Sequence, residues 1–344
     1  ALTASPSLRT IKVNTIVPTV TKVTSALPTG VYGIGAVMTI AVEFSKNIQI
    51  TNAGTPNPKP KMEMEFDAPS GSLRYFEWDG VIPVATILTF TYTVLANDDA
   101  TLLKYKAVTS LSTNMGDWTI EENNLDDGNN IAITELPIKG NAGSLEHAGT
   151  RNLEIDTASP VVTSVTSDLS DAKPAAAVTF GQDGLLIINV MFDKKVVVEP
   201  GVPPPILKLL VSSPASDGIY MRGSGTKKLE FEYTVKTGDA SPHLGYDGTS
   251  ALKIDWSSII KQDLALNGGT NLAVLALPAS DSLQSNTNIV VNTVVPVVEK
   301  VTSYKGDGVY GIGAVLTVKV HFDKDVVVNT ASGLPTIDME LGGG

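Results

Sequence analysis

The residues in this chain that could do chemistry are few, and most of them carry oxygen. Three histidines are present, His147, His243 and His321, in unrelated sequence surroundings. A catalytic triad needs a nucleophile and an orienting acid beside one such imidazole, and no Gly-x-Ser-x-Gly or comparable setting accompanies any of them. Gly33-Ile-Gly35 lacks the third glycine and the following helix that a phosphate cradle requires. Carboxylates and carboxamides offer more. Acidic residues cluster at Asp98-Asp99, at Asp126-Asp127 and at Asp239, while Asn14, Asp156 and Asn292 recur at matching places along the chain. Hard cations take carboxylate and carbonyl oxygens, so Asn14, Asp156, Asn292, Asp98, Asp99 and Asp239 are the candidate ligands for calcium, the one cofactor the residues bring into consideration. Two of the three recurring residues are asparagine and no Asp-x-Asp-x-Asp loop appears, so the competing expectation is that these side chains accept turn amides. Tyr75, Phe76 and Trp78 are the candidate aromatic platform for a sugar, set against an ordinary role closing a core.

The elements that must position these residues are repeats. Val31-Tyr-Gly-Ile-Gly-Ala-Val-Met-Thr-Ile-Ala-Val-Glu-Phe-Ser-Lys46 returns 278 residues later as the segment Val309 to Lys324, with eleven of sixteen positions identical. A weaker copy runs from Phe180-Gly-Gln-Asp-Gly184 to Phe192. A boundary motif precedes each copy. Val13-Asn-Thr-Ile-Val-Pro18 recurs as Ile155-Asp-Thr-Ala-Ser-Pro160 and Val291-Asn-Thr-Val-Val-Pro296, giving periods of 142 and 136 residues between the prolines. Proline has no amide donor and suits the first residue of a strand at a sheet edge. After each turn the pattern alternates strictly: Met38, Ile40, Val42 and Phe44 point one way, and Thr39, Ala41 and Glu43 the other, as in a half-buried strand. Phe44, Phe192 and Phe322 are therefore expected at one inward position in three sandwiches. Leu88–Val94 matches Leu229–Val235 in the same manner, and the Leu125–Asn130 turn matches Leu266–Asn271. A short helical turn is weighed around Trp256–Ile260, and Leu283–Asn292 is read as a last strand.

Many short strands divided by turn signals, in units of about 140 residues, predict an all-β chain of tandem antiparallel immunoglobulin-like β-sandwiches in an elongated array. The expected units are 1–14 as the last strand of a preceding repeat, 15–156 and 157–292 as sandwich repeats, and 293–344 as the first half of a third. The chain reads as an excerpt of a longer array; pairing of terminal halves between molecules would not replace the roughly 90 residues missing from the third unit.

Composition narrows the class of function. Twenty-five basic against 36 acidic residues give a net charge of −11, which disfavours nucleic acid and anionic membrane as partners. There are no cysteines, hence neither disulfides nor thiolate metal sites. No apolar run reaches the ~18–20 residues of a membrane span, and any export signal is expected outside this sequence. No Asn-x-Ser/Thr sequon occurs.

The combined pattern of Asx-Thr-x-x-Pro, Tyr-Gly-Ile-Gly, alternation ending in Phe-Asp/Ser-Lys, and Leu-x-Phe-x-Tyr-Thr-Val resembles the SWM repeat, described as a flagellar-system-associated repeat of very large bacterial cell-surface proteins. The second copy departs from it at Phe180–Gly184. The resemblance implies an extracellular, cell-surface setting linked to motility or adhesion, a structural role and no catalytic residues. The expected function is a non-enzymatic rod or stalk, with a calcium-stiffened adhesin or glycan-binding module as the alternative. The expected partners are neighbouring repeats and self-assembly into filaments or a surface layer.

Overall fold

A computed structural model describes residues 11–52, 59–68, 73–81, 86–113, 118–123, 125, 127–147, 152–169, 173–199, 201–266, 268–331 and 333–340. The chain is all-β, with antiparallel sheets curled into sandwich-like arrangements. Two separate apolar cores form, one from residues between Val23 and Ile155, the other from residues between Val162 and Val291.

Both repeats are built on one plan. In the first, the main sheet runs in the order Val20–Thr24, Val37–Phe44, Ile87–Thr93, Arg74–Trp78, Lys61–Glu65 and Leu111–Ser112. In the second, the same order is made by Val162–Ser167, Leu185–Glu199, Thr226–Thr234, Ser216–Arg222, Ile206–Leu209 and Leu252–Lys253. A small sheet in each repeat pairs the strand before the turn with the last strand in parallel: Gly30–Tyr32 with Leu153–Asp156, and Val178–Phe180 with Ile289–Asn292. Alternation sets the register. Met38, Ile40, Val42 and Phe44 are at most 2% exposed, and Met38, Ile40 and Val42 face Tyr92, Phe90 and Leu88 across the ladder. Leu186, Ile188 and Val190 face Tyr233, Phe231 and Leu229 in the same manner. Burying each such side chain contributes about 1.5–3 kcal/mol, and this sustains the plan through extensive sequence change.

The altered turn of the second copy keeps its shape. Ala36 N–H donates to Gly33 O at 3.1 Å, and Gly184 N–H donates to Gly181 O at 3.1 Å. Gly35 sits at φ 82°, and Asp183 takes the same left-handed place at φ 64°, a region aspartate tolerates better than most residues.

Three sequence expectations change. Phe44, Phe192 and Phe322 do occupy one register position, pairing with Val20, Val162 and Val298, each beside a bulge. Phe44 and Phe192 are 2% exposed, but Phe322 is 38% exposed, because Val298–Ser303 and Val318–Phe322 form a two-stranded sheet with no described layer packed over it. Trp256 stands 92% exposed in a turn that leads into the strand Ile259–Gln262, so no helix forms there. The helix among the described residues is Leu283–Asn286, capped by Ser282, and only Ile289–Asn292 of the expected last strand is extended.

Phe192→Ala is expected to destabilise the second repeat by about 3–5 kcal/mol while the first melts unchanged. Trp78 and Trp118, ring centroids 5.5 Å apart in the first repeat, report its unfolding by fluorescence, and far-ultraviolet dichroism reports both repeats. Phe322→Ala should be nearly silent in both signals. Loss of the tryptophan signal in step with Phe192→Ala would contradict independent cores.

Candidate functional site

Of the side chains that recur at the boundary motif, Asp156 lies where the two repeats meet. Asp156 ends the last strand of the first repeat. Its carboxylate accepts from Lys194 Nζ at 2.8 and 2.6 Å, from Gln262 Nε2 at 3.0 Å and from the Ala158 amide at 3.0 Å. Lys194 also donates to Ala158 O at 2.9 Å. Asn271, 1% exposed, donates to Asp156 O at 2.6 Å and to Gln262 Oε1 at 2.8 Å. The result is a four-residue clamp of Asp156, Lys194, Gln262 and Asn271. Its ammonium occupies the side of the carboxylate where a cation would be drawn.

A matching clamp stands at the start of the first repeat. Lys46 Nζ donates to Asn14 Oδ1 at 3.1 Å, to Glu122 Oε2 at 2.9 Å and to Ile16 O. Asn14 Nδ2 donates to Glu122 Oε1 at 2.9 Å, and Asn130 Nδ2 donates to Glu122 Oε2 at 2.8 Å and to Asn14 O at 3.2 Å. The four positions correspond one to one, with the carboxylate exchanged: Asn14 and Glu122 in the first clamp, Asp156 and Gln262 in the second. Each clamp thus holds one carboxylate and one carboxamide at these two positions; Lys46 donates to both, Lys194 to the carboxylate alone. In the third copy Lys324 Nζ reaches Val294 O at 2.8 Å, and the Val294 amide donates to Asn292 Oδ1 at 3.0 Å. The residue before each lysine caps the strand that follows the boundary proline. Ser45 Oγ, Asp193 Oδ1 and Asp323 Oδ1 accept the amides of Thr19, Val161 and Val297, just past each boundary proline.

Beside the second clamp, the backbones of the two repeats touch directly. Ala265 N–H donates to Val31 O at 3.0 Å, Gly33 N–H to Gly268 O at 2.6 Å, and Thr270 N–H to Ile34 O at 2.9 Å; Asn271 Oδ1 accepts the Ile34 amide at 3.1 Å. Glycine makes this approach possible. A Cβ at Gly33 would lie 2.5 Å from Asn271 Oδ1, and one at Gly269 would lie 2.3 Å from Ile34 O.

The remaining candidates fall apart from this joint. Asp98, fully buried, accepts from Arg74 Nε at 2.7 Å, from the Tyr92 hydroxyl at 2.6 Å and from the Leu95 amide at 2.8 Å. Asp239 repeats the arrangement, accepting from the Tyr233 hydroxyl at 2.5 Å and the Lys236 amide at 2.8 Å. Both carboxylates fix a turn by accepting its amides. Asp99 pairs with Asp156 across the small sheet; burial, then the charges of Asp156 and Asp67, push its carboxyl up. Asp126 lies outside the described residues. Among the described residues no group of three or more histidine, aspartate or glutamate side chains is placed to hold a metal ion. His147 and His243 contact the carbonyls of Gly140 and Thr287, and His321 contacts Thr302 Oγ1. Phe76 and Trp78 are buried, while Tyr75 is 37% exposed and faces outward under Lys61, so the three do not share one open face.

Compared with models of known families and with curated proteins, the chain matches none.

Sequence reasoning named Asn14, Asp156 and Asn292 but assigned no role to Lys46, Lys194 and Lys324. Their invariance two residues after Phe44, Phe192 and Phe322 was the available signal.

Burial pushes the Asp156 carboxyl up, but hydrogen bonds from Lys194, Gln262 and the Ala158 amide, with the charge of Lys194, outweigh it and hold the group below its ordinary 3.8. A carboxyl depressed in the folded state contributes stability that is present above its unfolded value and lost as pH falls through the folded one. The joint is therefore expected to hold at neutral pH and loosen as the pH drops below 3.8. Asp156→Asn should cost the second repeat about 1–2 kcal/mol in urea denaturation, since both ends of the pair reach water. Adding Gln262→Glu recreates the charge arrangement of the first clamp and should recover most of that loss; no recovery would mean that the two clamps are not equivalent.

Proposed function

We propose that this chain is a non-enzymatic structural segment, a rod or stalk of tandem repeats within a large extracellular surface or filament protein. The observation that carries this reading is the joint. Backbone hydrogen bonds and a charge-matched clamp tie the first repeat to the second, and the Asx and lysine positions of the clamp recur at each boundary. A chain of domains on flexible linkers needs no such fixation; one that transmits force or holds a distance does. The resemblance of the boundary and turn motifs to the SWM repeat suggests a cell-surface setting linked to motility or adhesion. The cysteine-free, acidic composition is compatible with that setting.

In this reading the lysines supply at the joints the positive charge that calcium would bring. A chelator should then leave the melting temperature unchanged, whereas a fall on chelation would favour the calcium-stiffened adhesin. Small-angle scattering of the monomeric chain tests the rod itself. The pair-distance distribution should show two maxima, one for distances within a repeat and one for the separation of successive repeats. A single symmetric peak would sink the rod reading.

A further inference from the structure

The two clamps differ in one respect that charge alone does not explain. In the second, Lys194 Nζ spans both oxygens of Asp156, and the amides of Gln262 and Asn271 complete the surroundings. In the first, the residue facing the lysine is an amide, and Glu122 stands between the two nitrogens. Its Oε2 accepts from Lys46 Nζ at 2.9 Å and its Oε1 accepts from Asn14 Nδ2 at 2.9 Å. Lys46 Nζ lies 3.1 Å from Asn14 Oδ1, and the Ile16 amide donates to the same oxygen at 3.3 Å. An amine, a carboxamide and a carboxylate touching both nitrogens are the parts a transamidation needs: nucleophile, electrophile and proton carrier.

The surroundings hold these parts in place. Lys46 Nζ also donates to Ile16 O, and Asn130 Nδ2 donates to Glu122 Oε2 at 2.8 Å and to Asn14 O at 3.2 Å. The side chains of Lys46 and Glu122 are only 22% and 13% exposed, so water competes little for either. Groups held in contact react with an effective molarity of about 10⁵–10⁸ M, enough to bring a very slow aminolysis into reach. The second clamp lacks two of the three parts. Hydrogen bonds and the charge of Lys194 keep the Asp156 carboxyl ionised, a form that resists attack by an amine, and the Gln262 amide carries no proton to and fro.

We propose that Lys46 and Asn14 become joined by an isopeptide bond, which the chain forms on itself with Glu122 as the catalytic residue. Hydrogen bonds from Asn130 and Lys46 hold the Glu122 carboxyl below its ordinary range, so the pair begins as ammonium and carboxylate. Lys46 passes a proton to Glu122, and the freed amine attacks Cγ of Asn14, with the Ile16 amide facing the oxyanion that develops on Oδ1. Glu122 hands its proton to Nδ2 and takes another from the new C–N nitrogen. The Cγ–Nδ2 bond then breaks, and ammonia leaves with that second proton as ammonium, returning Glu122 to its carboxylate. One ammonium and one carboxamide give one secondary amide and one ammonium ion, with no redox change and no co-reactant. The bond fastens the segment ahead of Pro18 to the end of the strand Val37–Phe44. Exchange of the carboxylate between the clamps thus separates one that turns covalent from one that stays ionic.

Mass spectrometry reads the bond directly. The folded chain should be lighter than its sequence by one ammonia, and its tryptic digest should contain a branched peptide in which residues 13–22 are joined to the peptide that carries Lys46. Lys46→Arg, which keeps the positive charge, and Glu122→Gln, which keeps the shape, should each restore the sequence mass and release residues 13–22 as a linear peptide. Fluorescence of Trp78 and Trp118 confirms that the first repeat is folded in each variant. Lys194 and Asp156 should be recovered on separate peptides of the same digest; finding them joined by loss of water would overturn the role given to Glu122. A folded chain at its full sequence mass would overturn the bond itself. So would an ammonia loss that survives Lys46→Arg, because an asparagine also loses ammonia by closing on its own backbone. The bond is independent of the rod reading, since a chain that scatters as a single compact body can carry it and a rod can lack it.

Discussion

Two backbones approach each other at the joint more closely than side chains would permit, and the arrangement of the repeats depends on that approach. Gly33 and Gly269 are the residues that allow it, the first because Asn271 Oδ1 occupies the space of its Cβ, the second because Ile34 O does. Once the turn and loop meet, Val31, Gly33 and Ile34 exchange hydrogen bonds with Ala265, Gly268 and Thr270. Those bonds fix where Asn271 sits, and Asn271 in turn holds Gln262 and the carbonyl of Asp156. The path from two glycines to a fixed joint is therefore continuous and made of named contacts.

Charge at the joint follows a simple constraint of one carboxylate for each lysine. Glu122 supplies it in the first clamp and Asp156 in the second, with an amide side chain taking the other position each time. A second carboxylate would leave a surplus negative charge beside Asp99 and Glu154, whose carboxyls burial and the charge of Asp156 already push up. Partly exposed ion pairs contribute little stability, so the clamp is better understood as specifying which side chain faces which, and hence how one repeat meets the next.

Much of the fold was legible because it is local. The period-2 alternation of Met38 to Phe44 contains its own evidence for a strand and for the buried face, and the same register returned at Phe192 despite an altered turn. Asp183 could replace Gly35 because aspartate tolerates the left-handed region. Exposure of Phe322 was not legible: the residue holds the expected register, but burial depends on a second layer that a strand pattern cannot report. The joint was legible only in part. Asn14, Asp156 and Asn292 stood out by recurrence, but the partners of Asp156 come from segments well apart from it in sequence, Lys194 from one and Gln262 with Asn271 from another. Nothing in local spacing shows that an ammonium, a carboxamide and a carboxylate from such segments will meet.

The central claim is that the joint is a fixed structural contact, and amide hydrogen exchange reads it residue by residue. The amides of Gly33, Ala265 and Thr270 belong to turns and loops, and each donates across the joint. In the full-length chain at neutral pH they should exchange as slowly as the amides of the adjoining strands, and Asp156→Asn should speed all three together. Exchange at the rate of an open loop in the unaltered chain would contradict a fixed joint.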